Sequence, residues 1–176
     1  MDRLTELALA ARDGNAYALE EFVRRSQPQV RQLCRHLGDP DTVDDLVQEV
    51  YYRALRALPR FRNDGPAIGW LLTIARRTCV DSTRRRIRHR RRSGHLAVVD
   101  EESHDDSWAE VADLVATLDL DRREAFVLTQ FVGLSYIDAA AVLDCPVGTV
   151  RSRVSRARSD LIELIAGDDD ERGIAQ

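Results

Sequence analysis

Between Gly148 and Ser159 the sequence sets Gly148, Ser152, Ser155 and Ser159 along one arc of a helix, flanked by Arg151 and Arg156. Short hydroxyl side chains beside guanidinium groups suit a nucleic-acid groove, because small residues allow close approach and the cations meet base edges or phosphates. Val150, Val154, Ala157 and Leu161 form the opposite, apolar stripe at about 100° per residue. Arg153 and Arg158 lie nearer that stripe, which fits phosphate contacts at a groove edge better than base readout. The competing reading is a solvated amphipathic helix whose arginines only keep it soluble.

The preceding residues favour recognition. Ser135 and Asp138 make an S-x-x-D capping pattern, so a short helix begins there and is expected to pack through Ile137, Ala140, Ala141 and Leu143. It ends near Asp144-Cys145, and Pro146 opens the basic helix with its fixed φ. A capped short helix, a tight turn and a proline-started basic helix together read as a helix-turn-helix over 134–158.

Two further groups carry chemistry. Residues 76–92 hold nine arginines against one acid, a local charge of +8 that calls for solvent or a polyanion, with Arg76, Arg77, Arg84 and Arg85 as candidates. On a helix read over 39–58, Val43, Leu46, Val47, Val50, Ala54 and Leu58 point inward. That leaves Asp44, Asp45, Gln48, Glu49, Tyr52, Arg53 and Arg56 outside, which by itself describes no more than a charged solvated face.

The overall net charge of −4 conceals this segregation, since residues 93–134 carry a local −8 after the basic run. All basic residues are arginine; that bias is not read as DNA binding. Cys34, Cys79 and Cys145 fall in no CxxC or Cys/His cluster and read as buried thiols, and the four histidines lack metal-ligand spacing. No cofactor, metal or catalytic constellation is expected: phosphate loop and nucleophile-base pair are both lacking. No apolar run approaches the roughly 20 residues of a membrane span. The opening MDRLTELALAARDG lacks a continuous apolar core and cleavage site, so a cytoplasmic location is expected.

Helical periodicity runs through almost the whole chain, which places it in the all-α class. Asn15 is placed to cap a helix after Asp13-Gly14, and a further apolar set, Val30, Leu33, Cys34 and Leu37, follows Pro28 and ends at Gly38. A long helix starts near Ala67 and turns from apolar to basic; Trp70 and Ile74, with Leu71 and Ala75, fit either its functional face or the core, and for Trp70 the core is preferred. The aperiodic acidic stretch SGHLAVVDEESHDDS reads as a flexible linker. The expected division is a domain over 1–92, a linker over 93–107, a second domain over 108–167 and a disordered acidic tail over 168–176. Helices are expected over 108–118, 122–132, 136–143 and 147–165.

GLSYIDAAAVLDCPVGTVRSRVSRAR resembles the −35-reading domain of extracytoplasmic-function sigma factors of the sigma-70 family, most closely in its Cys-Pro-Val-Gly-Thr-Val-Arg-Ser-Arg run. The resemblance implies that Arg151, Ser152, Ser155 and Arg156 face the −35 element, with Thr149, Arg153 and Arg158 nearby. DDLVQEVYYRAL resembles the segment with which these factors bind the clamp helices of the polymerase's largest subunit. Asp45, Leu46, Gln48, Glu49 and Arg53 are thereby implied to bind core RNA polymerase. FRNDGPAIGWLLTIARRTCVDSTRRRIR resembles the −10 recognition and melting region, implying a base pocket at Asn63 and Asp64 with Arg76, Arg77, Arg84 and Arg85 on the strand. The implied partners are core polymerase, promoter DNA and, as a candidate, an anti-sigma factor. A stand-alone DNA-binding regulator is the rival reading, and it leaves the two N-terminal segments without a joint role.

Overall fold

Asp2 opens the first helix by accepting the Thr5 amide at 3.0 Å, and Asn15 opens the second by accepting that of Ala18 at 3.0 Å. Each supplies an acceptor to an amide that the first turn leaves without a partner. A computed structural model of the chain describes residues 1–93 and 106–173. Among the described residues every regular element is helical, and the chain divides into two units, Met1–His95 and Leu96–Gln176.

The first unit consists of α1 (Arg3–Arg12), α2 (Ala16–Leu37), α3 (Val43–Ala57) and α4 (Ala67–Ser93). Its core joins Leu7 and Ala8 of α1 to Phe22, Val30 and Leu33 of α2, Val50 of α3, and Leu71, Leu72 and Ala75 of α4. Pro28 lies inside α2, so the apolar set that follows it continues the helix capped by Asn15. The proline lies on the exposed side, where water can take the carbonyl its ring leaves unpaired, while buried Phe22 and Val30 hold the helix on either side. Tyr51 adds a clasp from α3: its hydroxyl lies 2.8 Å from Ser26 Oγ and donates to the Val23 carbonyl at 3.3 Å. The expected helix 39–58, by contrast, is divided. Pro40–Thr42 form a 3-10 turn before α3, and Leu58–Arg60 form another after it.

Cys34 and Cys79 pack sulfur to sulfur at 3.8 Å in this core, as buried thiols. At Gly38 an added Cβ would lie 2.6 Å from the Cys34 carbonyl oxygen as well as against Leu46 Cδ1, so the link from α2 to α3 admits no side chain without a backbone shift.

The second unit holds α5 (Asp106–Thr117), α6 (Leu120–Phe126), α7 (Tyr136–Leu143) and α8 (Val147–Gly173), with a π-helical turn over Val127–Phe131. That turn replaces the end of the single helix expected over 122–132. On α7 the packing face is Ala139, Ala140, Val142 and Leu143. Ile137 is 70% exposed and Ala141 is exposed, a correction with a geometric cause: these two residues are one turn apart and share the opposite face. Cys145 is only half-buried, unlike the other two thiols.

Helix α8 continues through the acidic residues to Gly173, where a disordered tail had been expected, and Leu161 is only half-buried on it. Ser93 belongs to α4, and Asp106 and Ser107 to α5, so the ends of the expected linker are helical. Its remainder, 94–105, lies outside the described residues, as does the end of the expected tail, 174–176.

Candidate nucleic-acid interface

The basic helix of the second unit is aimed by the turn in front of it. Ser135 accepts the Asp138 amide at 3.1 Å and donates its hydroxyl to the Asp138 carboxylate at 2.6 Å, which fixes the start of α7. At the other end Asp144 takes a left-handed conformation, φ 52°, and the Cys145 amide reaches back to the Ala140 carbonyl at 3.1 Å. Pro146 then accepts from Thr149 at 2.9 Å and opens α8. Val150, Val154 and Ala157 are buried, which turns Arg151, Ser152, Ser155 and Arg156 outward together.

Thr149 is half-buried beside them, and the Ser152 hydroxyl donates to its carbonyl at 2.9 Å. Arg153 is ion-paired with Asp121 of α6, and Arg158 donates to Gln130 Oε1 at 2.8 Å. These two arginines are therefore partly engaged within the unit. Local periodicity gives no sign of either partner, because Asp121 and Gln130 lie on a different element.

In the first unit Asp45 and Gln48 are exposed on α3, whereas Leu46 is 5% exposed and serves as floor rather than contact surface. Arg53 donates to Glu49 at 2.6 Å and to Asp81 of α4 at 3.3 Å. The Glu49 hydrogen bond is the first cause of the raised Arg53 pKa; burial opposes it, and Asp81 adds to it. Asp45, Leu46 and Glu49 line a cleft of about 350 Å³ between α3 and α4, closed on the far side by Thr78, Ser82 and Arg85. Two residue groups that the sequence separates, one assigned to polymerase and one to DNA, thus share a groove.

Arg77, Arg84, Arg85 and Arg88 are exposed along α4 and make no ion pair with any described residue. Arg76 is half-buried. Arg86, by contrast, is ion-paired with Asp39. Arg84, Arg85 and Arg88 surround a second cleft of about 480 Å³ together with Asp81, the one acid of the basic run.

The loop before α4 exposes Asn63 and Asp64. Asn63 has φ 60°, a left-handed conformation that asparagine tolerates better than most residues. Phe61 is buried at the start of the loop, its ring centroid 5.1 Å from that of Trp70. Trp70 is half-buried, so the core reading of this residue holds in part. Bonds from α1 reach both ends of the loop: Arg12 Nη1 donates to the Phe61 carbonyl at 3.1 Å, and the Ala67 amide donates to Thr5 Oγ1 at 2.9 Å.

Among the described residues no group of histidine, cysteine or carboxylate side chains is arranged to hold a metal, and no helix is long and apolar enough to cross a membrane. Residues 22–92 match Sigma-70 region 2 and residues 108–161 match Sigma-70, region 4. The chain is 43% identical over 175 residues to the probable RNA polymerase sigma-C factor of Mycobacterium bovis, covering 96% of this chain and 94% of the relative. This chain belongs to the sigma-70 family, in its extracytoplasmic-function branch. The sigma-E factor of Escherichia coli is 33% identical, over 89% of this chain and 92% of its own length. Among solved structures, CnrH in complex with the cytosolic domain of CnrY superposes with a TM-score of 0.80 at 33% identity, covering 95% of this chain and 99% of that one. The sigma factor RpoE of Bartonella quintana, solved with the anti-sigma factor NepR, gives 0.72 at 30%, over 84% and 96%. The function follows from membership: a sigma factor directs promoter-specific transcription initiation by RNA polymerase.

Proposed function

We propose that the three surfaces divide the work of initiation. Asp45, Gln48, Glu49 and Arg53, seated over Leu46, bind core RNA polymerase. Asn63 and Asp64 take an extruded −10 base while Arg76, Arg77, Arg84 and Arg85 hold the strand and neighbouring phosphates. Arg151, Ser152, Ser155 and Arg156 read the −35 duplex, with Thr149, Arg153 and Arg158 at the groove edge. The polymerase supplies nucleotidyl transfer and this chain catalyses no reaction of its own. Core binding and −10 recognition and melting are assigned to residues 1–92 and the −35 function to 108–167, joined by 93–107 and followed by the acidic segment 168–176. Work on chromosomal promoters sets it in the cytoplasm. RpoE was solved with the anti-sigma factor NepR, and a partner of that class is assigned here on that likeness.

The observation that carries the reading is a contrast in pairing. Arg77, Arg84, Arg85, Arg151 and Arg156 stand exposed without an ion pair to any described residue, whereas Arg31 and Arg122 are neutralised by Asp44 and Asp160. Like charges one turn apart on a helix repel, and a phosphate backbone relieves that repulsion while releasing counterions. Asp and Glu on α3 would repel phosphate, which favours a protein partner for that face.

Transcription from a promoter library by core polymerase with and without this chain tests the assignment. Start sites that depend on it and share both promoter elements are the expected result. If initiation is the same in its presence and absence, the division of labour falls.

A further inference from the structure

Helix α1 lies outside the residues that match either sigma-70 region, yet it supplies the bonds that fasten the two ends of the loop between Phe61 and Ala67, while Asn63 Nδ2 within the loop donates to Met1 Sδ at 3.8 Å. The bond at Ala67 is made in the interior: Thr5 is 2% exposed and Ala67 is fully buried. The amide concerned belongs to the first turn of α4, where no carbonyl of the helix can accept it. Thr5 is committed to accepting it, because its own hydroxyl proton goes to Asp2 Oδ2 at 2.5 Å. Asp2 in turn accepts the Thr5 amide through its other oxygen, at 3.0 Å. Burial alone would raise the Asp2 pKa, but these hydrogen bonds outweigh it and hold the carboxyl below its ordinary value, so the acceptor stays ionised. At the other end Arg12 holds the Phe61 carbonyl while Asp13 anchors the same guanidinium at 2.9 Å. Helix α1 can transmit these constraints because Leu7, Ala8 and Ala11 lock it into the core.

We infer that α1 is a brace for the −10 loop, with Thr5 and Arg12 as positioning residues that fix the two ends between which Asn63 and Asp64 are presented. This rests on the proposed reading of that loop as the pocket for an extruded base. A loop held at both ends has fewer conformations to lose when the base arrives, so capture and base choice both improve. Neither residue touches the DNA. Each acts through the backbone of Phe61 or Ala67.

The test compares Thr5→Val, Thr5→Ser, Arg12→Gln and Asn63→Ala in full-length chain with core polymerase. Promoter opening is followed on duplex and on a template with a pre-melted −10 bubble, together with −10 base preference, core affinity and −35 discrimination. Thr5→Val and Arg12→Gln should slow opening on duplex and flatten −10 base preference by about two- to tenfold, the range of one net hydrogen bond. The bubble should restore part of the opening, and Thr5→Ser should behave as the parent because it keeps the acceptor. The Ala67 amide should exchange with solvent faster in Thr5→Val. Core affinity and −35 discrimination should not move.

If Asn63→Ala is defective while Thr5→Val and Arg12→Gln match the parent, the brace is overturned and the pocket stands. If Asn63→Ala itself opens duplex and selects bases normally, the pocket reading fails and the brace with it. A Thr5→Val defect spread equally over core affinity, −35 discrimination and opening, or one that Thr5→Ser shares, reduces Thr5 to a general stabiliser of the fold and also overturns the inference.

Discussion

Arg53 of α3 reaches Asp81 of α4 at 3.3 Å while holding Glu49 of its own helix at 2.6 Å, so the proposed polymerase face is tied to the one acid of the basic run. Asp81 also borders the cleft formed by Arg84, Arg85 and Arg88, where its charge opposes phosphate. Asp81→Asn should therefore raise DNA affinity, by up to about fivefold at low salt, since exposed charge pairs contribute at most about 1 kcal/mol. The gain should shrink as salt rises. Titration of fluorescent duplex at two ionic strengths checks both parts. Unchanged or weaker binding would mean that Asp81 matters only as a partner of Arg53.

The α3 face makes a separate prediction. Asp45 and Gln48 are exposed and make no ion pair or hydrogen bond with any described residue, so their replacement should leave the fold intact. Asp45→Arg, which reverses a charge, should weaken core polymerase binding more than Gln48→Ala, and neither should alter −35 discrimination. Leu46→Ala should instead act through stability, at about 2–5 kcal/mol for a buried leucine. Titration of core polymerase and urea unfolding of the free chain separate the two effects.

The cap of α7 aims the helix proposed to read the −35 duplex and should be measurable on its own. Ser135→Ala removes the acceptor for the Asp138 amide and should cost about 0.5–2 kcal/mol of stability in the second unit. Melting temperature and −35 affinity should fall together, and Ser135→Thr should preserve both.

These elements differ in how plainly the sequence announces them. The α7–turn–α8 arrangement was legible because its determinants are local: Ser135 caps a helix three residues from Asp138, and Pro146 favours the start of one. The charge of α4 was legible for the same reason. What escaped depends on distant partners. Pro28 reads as the border of a further apolar set until Tyr51 of another helix is seen clasping the turn before it. Ile137 reads as core because it is apolar, and only the positions of Ala139, Ala140 and Leu143 show which face is covered. The role of Thr5 lies in an amide 62 residues away, which no periodicity can reveal.

The Tyr51 clasp carries a pH signature. Burial raises its pKa from the ordinary value of 10.0 to about 12, with the Ser26 hydrogen bond working in the opposite direction. A phenol raised in the folded state contributes stability that is complete below its unfolded value and is lost as pH climbs through 10 toward 12. Between pH values of about 8 and 11 the parent should therefore lose more urea resistance than Tyr51→Phe, which has no proton to release. Equal losses would show that Tyr51 titrates in the same way folded and unfolded.

The arginines of α8 should fail in two distinct ways. Arg151 and Arg156 are exposed on the outward arc and make no ion pair with any described residue, so Arg151→Ala or Arg156→Ala should relax −35 discrimination, by about 1–3 kcal/mol where a bidentate base contact is lost. Arg158 is held by Gln130 near the edge of the stripe, so Arg158→Ala should weaken binding to all sequences alike and lower the salt slope by about one. Arg153 differs again, because Asp121 already neutralises part of its charge. Its removal should reduce affinity less than that of Arg158, while Asp121→Asn should free it and raise affinity without changing base preference. Binding to a panel of −35 variants across a salt series resolves the three patterns. A base-selective defect in Arg158→Ala, or a uniform one in both Arg151→Ala and Arg156→Ala, would reverse the assignment of groove and edge.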